Sequence, residues 1–247
     1  MMRFSKLCFS LILASSLTAC ASSGTTPTGS YQSNNTNYNN SVAPEPTKSI
    51  NTSTEKILAE AEAAGDKQLV LENLKTLHAE NPEDPIVATR YGRALREDDQ
   101  VNAAVRILTS FTKGTSASGE ALTEMAMAQL ALGKFETAEK YAERATSADK
   151  KNGRAYLALG TALDAQKKHQ PAEIAFRKGL KYWKGKSTPI LNNLALNLAS
   201  QGHLEEALSL IEKAQKLAPG RMDLERNRRI IATLLETTGS RDLDAGS

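Results

Sequence analysis

Cysteine is missing from all but the first 20 residues of this 247-residue chain, where Cys8 and Cys20 are the only two. Beyond them neither a disulfide framework nor a thiolate metal site can be built. Aromatic side chains make up 5% of the chain, with a single tryptophan, so its core must come from small and aliphatic side chains on closely packed helices. Histidine is scarce too. His78, His169 and His203 stand far apart, with no metal-ligand spacing and no HExxH. There is no GxSxG elbow, Gly-rich phosphate loop or CxxC. These absences argue against an enzyme, and no catalytic, metal or cofactor site is expected. An excess of one charge is also lacking. The formal charge is +3, of which Arg3 and Lys6 supply two, leaving +1 (3 − 2) for the rest. That argues against binding nucleic acid through net charge. The apolar stretch from Leu7 to Leu17 is too short to span a bilayer comfortably.

What is present begins with an address. Arg3 and Lys6 precede the short apolar run, and Leu17-Thr18-Ala19-Cys20 closes it. This segment resembles the bacterial lipobox. The resemblance implies that residues 1–19 are a cleaved lipoprotein signal peptide. It also implies that Cys20 is the first mature residue, carrying covalent lipid. Two or more acyl chains hold a protein stably on a membrane, each buried methylene contributing roughly 0.8 kcal/mol. Ala21 follows in place of the Asp that retains such proteins at the inner membrane of diderm bacteria, so the resemblance implies the periplasmic leaflet of the outer membrane. Residues 20–50 then read as a Ser/Thr/Asn-rich flexible linker, too polar to bury a core. Its reach is about 30 Å.

The folded part carries a repeat. Leu122, Met125 and Ala126 recur at helical spacing before Gly133; Phe135, Ala138, Tyr141, Ala142 and Ala145 do so after it. Two amphipathic helices joined by a tight turn are expected. The 34-residue frame fits 51–84, 85–118, 119–152, 153–186 and 188–221. Small residues recur at its eighth position (Gly92, Ala126, Gly160, Ala195) and twentieth (Ala104, Ala138, Ala172, Ala207). They let paired helices approach. Gly65, Gly133 and Gly202 occupy the turn, where a left-handed residue ends a helix. Asp99 and Lys167 stand there instead in two repeats, so those turns are expected to be less typical. The frame resembles the tetratricopeptide consensus over residues 51–221. The fold class expected is therefore an all-α tetratricopeptide-repeat solenoid of about five helix–turn–helix repeats. Residues 222–238 should add a capping helix, with Leu224, Ile231, Leu234 and Leu235 inward, and 239–247 a frayed tail. The Gly/Ser-rich junction at 112–119 reads as a hinge.

The working surface of such an array is the groove lined by the first helix of each repeat. In this register its partner-binding residues are Thr89, Arg93 and Arg96; Thr123, Met127 and Leu130; Leu157, Thr161 and Asp164; and Asn192, Leu196 and Ala199. A peptide or helix is the expected ligand. Two basic clusters, Lys178, Lys181, Lys184 and Lys186 around Tyr182 and Trp183, and Arg221, Arg226, Arg228 and Arg229, read as solvated faces, with Trp183 packing between repeats.

The stretch PILNNLALNLASQGHLEEALSLIEKAQKLAPG, the following RNRRIIATLL and the segment ATRYGRALREDDQVNAAVRIL are similar to the TadD family, tetratricopeptide lipoproteins of Flp (Tad) pilus assembly. The resemblance implies a pilotin-like role. The partner would be the Flp/Tad secretin or another pilus assembly protein, and the membrane would be met through the lipid anchor. A pilotin of a type IV pilus or type II secretion system is an alternative. So is a cell-envelope scaffold or protease adaptor.

Overall fold

A computed structural model describes residues 47–244. The expected leader, Cys20 and most of the expected linker lie outside the described residues. Eleven α-helices, and no strand among the described residues, make up this unit. In chain order they are α1 (Thr47–Ala64), α2 (Lys67–Glu80), α3 (Pro85–Glu97), α4 (Val101–Thr109), α5 (Gly119–Ala131), α6 (Phe135–Ala148), α7 (Gly153–Ala165), α8 (His169–Lys181), α9 (Thr188–Ser200), α10 (Leu204–Leu217) and α11 (Met222–Asp244). A single 3₁₀ turn, Ser110–Thr112, extends α4.

Each 34-residue frame holds one helix pair. Two element boundaries differ from expectation. α1 starts at Thr47, inside the expected linker, and α11 runs to Asp244, through part of the expected frayed tail. Asp66, Asp84, Ser118 and Asn152 cap the helices that follow them, each accepting from a backbone N–H of the first turn. Such caps stabilise a helix by about 1 kcal/mol each.

All five intra-repeat turns have one geometry. Gly65, Gly133 and Gly202 sit at φ 73°, 70° and 85°. Asp99 and Lys167 adopt the same left-handed backbone, at φ 61° and 64°. Their turns are therefore typical in shape, contrary to expectation. The reason is a shared backbone hydrogen bond that closes each helix end: Asp66, Gln100, Lys134, Lys168 and His203 donate N–H to the carbonyls of Ala61, Leu95, Gln129, Leu163 and Leu198, at 2.8–3.0 Å. The bond demands a positive φ whatever residue occupies the position.

Packing follows the small positions. Ala104, Ala126, Ala138, Ala172, Ala195 and Ala207 are fully buried. A Cβ on Gly92 would fall 2.7 Å from Leu108 Cγ, and one on Gly160 would fall 2.5 Å from the Phe176 ring. The largest apolar cluster joins Phe176, Ile190, Leu194, Leu198 and Ile211 to Leu224 and Ile231 of α11. Each such side chain contributes roughly 1.5–3 kcal/mol on burial. In the cap, Leu224 and Ile231 are buried, but Leu234 is 42% exposed and does not cover the last repeat. It lies beyond the reach of α9 and α10.

The joint between the second and third repeats is bridged by side-chain hydrogen bonds. Arg144 donates to the carbonyls of Thr112 and Gly114, at 2.8 and 2.6 Å. The helices α3 and α5 also touch across it. First helices of neighbouring repeats approach backbone to backbone from α3 to α9, while second helices are spaced more widely and meet through side chains, as in the Arg177–Glu206 ion pair between α8 and α10. The first helices consequently lie on the inner side of the curve.

Candidate partner-binding face

The inner face is formed by α3, α5, α7 and α9, and the structure divides the twelve expected groove residues. Thr89, Thr123 and Leu157 are buried, so they do not line an open groove. Thr123 accepts from Asn152 Nδ2 at the start of α7 at 3.2 Å, and Leu157 joins the largest apolar cluster. The two hydroxyls turn back to their own helix, donating to the carbonyls of Pro85 and Gly119 at 2.6 Å. Arg93, Arg96, Met127, Leu130, Thr161, Asp164, Asn192, Leu196 and Ala199 are all half-buried along the face.

Arg93 and Arg96 belong to a larger assembly centred on Glu124 of α5, whose side chain is only 1% exposed. Its Oε1 accepts from Arg93 Nε at 2.7 Å and from Arg154 Nη2 at 2.6 Å. Its Oε2 accepts from Arg96 Nη2 at 3.1 Å. Glu120, one turn earlier, accepts from Arg154 Nη1 at 2.9 Å and also from Arg93. One buried carboxylate thus takes three guanidiniums, two from the repeat before and one from the repeat after. Burial pushes the Glu124 carboxyl up, but the charges of Arg154, Arg93 and Arg96 outweigh it and hold it below the usual carboxylate range. A buried charge is tolerated only with such pairing.

Glu120, Glu124 and Arg154 were not among the expected site residues. The sequence carried one signal: Glu120 and Glu124 are four apart, on the stripe that holds Met127, opposite Arg93 and Arg96 at the preceding repeat.

Toward the other end the face becomes an amide ladder. Asn197 Nδ2 donates to Asp164 Oδ1 at 2.6 Å and to the carbonyl of His169 at 3.0 Å. Asn193 Nδ2 reaches Thr161 Oγ1 at 3.2 Å, and Asn227 Nδ2 of α11 reaches Asn192 Oδ1 at 2.9 Å. His169 is not solitary, as the sequence suggested, because its Nδ1 lies 2.7 Å from Asp164 Oδ1. The pair bridges the turn between α7 and α8. Leu196 sits beside this ladder and joins none of the buried clusters.

Two tetratricopeptide-repeat family models match the chain, over residues 123–187 and 188–221. No curated protein matches it in sequence. Among solved structures, a thermophilic tetratricopeptide protein from Thermus thermophilus is 22% identical with a TM-score of 0.62, covering 74% of this chain and 98% of that one. A tetratricopeptide repeat protein from Parabacteroides merdae is 18% identical with a TM-score of 0.54, covering 78% and 77%. MamA from Desulfovibrio magneticus is 18% identical with a TM-score of 0.52, covering 69% and 96%. At these identities the likeness is one of fold. The chain is a tetratricopeptide-repeat protein, an all-α solenoid. Arrays of this kind are scaffolds for protein–protein interaction.

Proposed function

We propose that this chain is a lipid-anchored assembly factor of the outer membrane, pilotin-like, that serves the secretin of an Flp/Tad pilus. It works by recognition, without a covalent step. The observation that carries the reading is the inner face itself. From α3 to α9 it presents half-buried arginine, amide and apolar side chains in one continuous stripe, with Met127, Leu130 and Leu196 interspersed among the polar groups. Such a stripe suits a peptide or helix with both polar and apolar groups. Supporting it are the lipobox at Cys20 and the likeness of the last repeat and cap to the TadD family. The acyl anchor would raise the effective concentration of the groove near the membrane where secretins assemble.

The test is membrane fractionation of a deletion strain and of a Cys20→Ala strain, probing the Flp-type secretin for outer-membrane multimers. Loss of multimers in both is the expected result. Normal multimers and normal pili in both would overturn the reading and leave an envelope scaffold or adaptor. A parallel blot for a type II or type IV secretin separates the related pilotin roles.

A further inference from the structure

The edge of the solenoid between α8 and α9 carries charge that the inner face does not use. No Asp or Glu occurs between Glu173 and Glu205, while Lys178, Lys181, Lys184 and Lys186 all fall in that interval. None of the four makes an ion pair among the described residues. The other basic cluster behaves differently. On the cap, Arg221 pairs with Asp223, and Arg228 and Arg229 pair with Glu225.

The four lysines are set among aromatic rings. Lys178 Nζ lies 4.8 Å from the centroid of Tyr156, and Lys181 Nζ lies 5.6 Å from that of Tyr182. The two tyrosines stack on each other at 6.3 Å. Trp183 packs its ring partly on the core and donates Nε1–H to the Lys186 carbonyl at 2.9 Å. Lys151 joins from the α6–α7 turn, lining one cleft with Tyr182, Trp183 and Lys184. Glu120 and Asp149 also line it, but Glu120 is held by Arg154, and Asp149 accepts from the Lys151 N–H.

The composition selects the partner. Lysine is a strongly hydrated point charge that lacks the planar fork with which arginine grips one carboxylate or phosphate. A lysine cluster on an open edge therefore suits a diffuse anionic surface. Half-buried Tyr and Trp are the side chains that favour the interface between water and lipid. We infer that this edge is a docking surface for the anionic phosphate headgroups of a bilayer, with Lys178, Lys181, Lys184 and Lys186 supplying charge and Tyr182 and Trp183 seating at headgroup level. The choice of lipid over protein rests on the reading of the chain as membrane-anchored. Docking would orient the array so that its tether is not the sole link to the membrane.

Trp183 is the one tryptophan of the chain, so it reports on this edge alone. The experiment uses the chain without residues 1–19 and with Cys20→Ala, so that no acyl chain contributes. Its Trp183 emission is titrated with phosphatidylglycerol/phosphatidylcholine vesicles, with phosphatidylcholine vesicles, with inorganic phosphate and with polyglutamate. A blue shift on the anionic vesicles alone is expected, quenched by lipids brominated near the headgroup and abolished at high salt. Each lysine changed to glutamine should weaken binding about fivefold. Lys181→Gln/Lys184→Gln/Lys186→Gln should therefore lose it, while Lys75→Gln/Lys134→Gln, the remote variant in the first and third repeats, should retain it. Circular dichroism checks that both variants fold. Equal response to neutral vesicles, or equal loss in the remote variant, would overturn the inference. A shift on phosphate alone would reduce the edge to a small-anion site. A shift on polyglutamate without one on vesicles would assign it to an acidic protein segment. None of these readings depends on a secretin, so the fate of the pilus reading stays separate.

Discussion

Arg154 of α7 and Glu124 of α5 meet at 2.6 Å across the boundary between the third and fourth repeats, and the carboxylate they share with Arg93 and Arg96 is almost wholly buried. The pair makes one carboxylate the common anchor of three consecutive first helices. It sets the spacing of the inner face where that face is most cationic.

Replacing Glu124 with Ala should leave three guanidiniums facing one another without their shared anion. Breaking a buried ion pair from one side costs about 3–5 kcal/mol. Urea unfolding should show a loss of that order. Arg154→Met should cost less, since Arg93 and Arg96 still satisfy Glu124. Equal losses would mean that the network is not centred on the carboxylate.

The same residue gives a pH dependence with a defined sign. Its folded carboxyl lies below the usual range, whereas an unfolded Glu titrates near ~4.3. The stabilisation is thus fully present above about pH 4.3 and is lost as pH falls through the depressed folded value. The stability difference between wild type and Glu124→Gln should be constant at neutral pH and shrink on acidification below about pH 4.3. A difference that grows on acidification would contradict the assignment.

Lys167 holds a left-handed backbone that costs an L side chain roughly 1–2 kcal/mol, part of which glycine gives back as extra unfolded-state entropy. Lys167→Gly should stabilise the array by about 1 kcal/mol, raising the thermal midpoint by about 3 °C. Asp99→Gly should gain less, because Asp tolerates this region better. Gly133→Ala should move the midpoint the other way.

At Gly153 the constraint is backbone against backbone. A Cβ there would lie 2.9 Å from the Gly179 carbonyl and 3.0 Å from Trp183 Cα. Gly153→Ala must push α7 from the end of α8, an overpacking that costs about 1–3 kcal/mol. Calorimetry would show this as a lowered midpoint. Trp183 emission should shift with it, since the same backbone carries the indole.

Leu196 is half-buried on the inner face and outside every buried cluster. Leu196→Asp should therefore lower stability by only about 1 kcal/mol and leave the array folded. In cells it should reduce secretin multimers if the groove is the recognition surface. Unchanged multimers with a normally folded variant would place recognition elsewhere on the chain.

The helix pairs, the turn positions and the packing of Gly92, Gly160 and the buried alanines were legible because they obey local rules. A turn residue acts on its own backbone, and a small residue at a fixed register permits close approach wherever its frame repeats. Asp99 and Lys167 misled only because side-chain preference, read alone, undervalues the hydrogen bond that forces the same turn on any residue. Arg93, Arg96, Met127 and Thr161 are half-buried on the first helices, while Thr89, Thr123 and Leu157 are buried, a difference set by how neighbouring helices pack.

The sequence by itself determined the period, the helix pairs, the turn positions and the cap, all consequences of spacing along one chain. Only the tertiary structure decided which charges are paired. A glutamate on a helix is solvated by default, and Glu124 is buried because guanidiniums 28 to 31 residues away converge on it. The lysines near Trp183 make no ion pair among the described residues because the carboxylates that share their cleft, Glu120 and Asp149, are engaged by Arg154 and the Lys151 backbone. Long-range electrostatics depends on which surfaces meet, and that is set by the stacking of whole repeats.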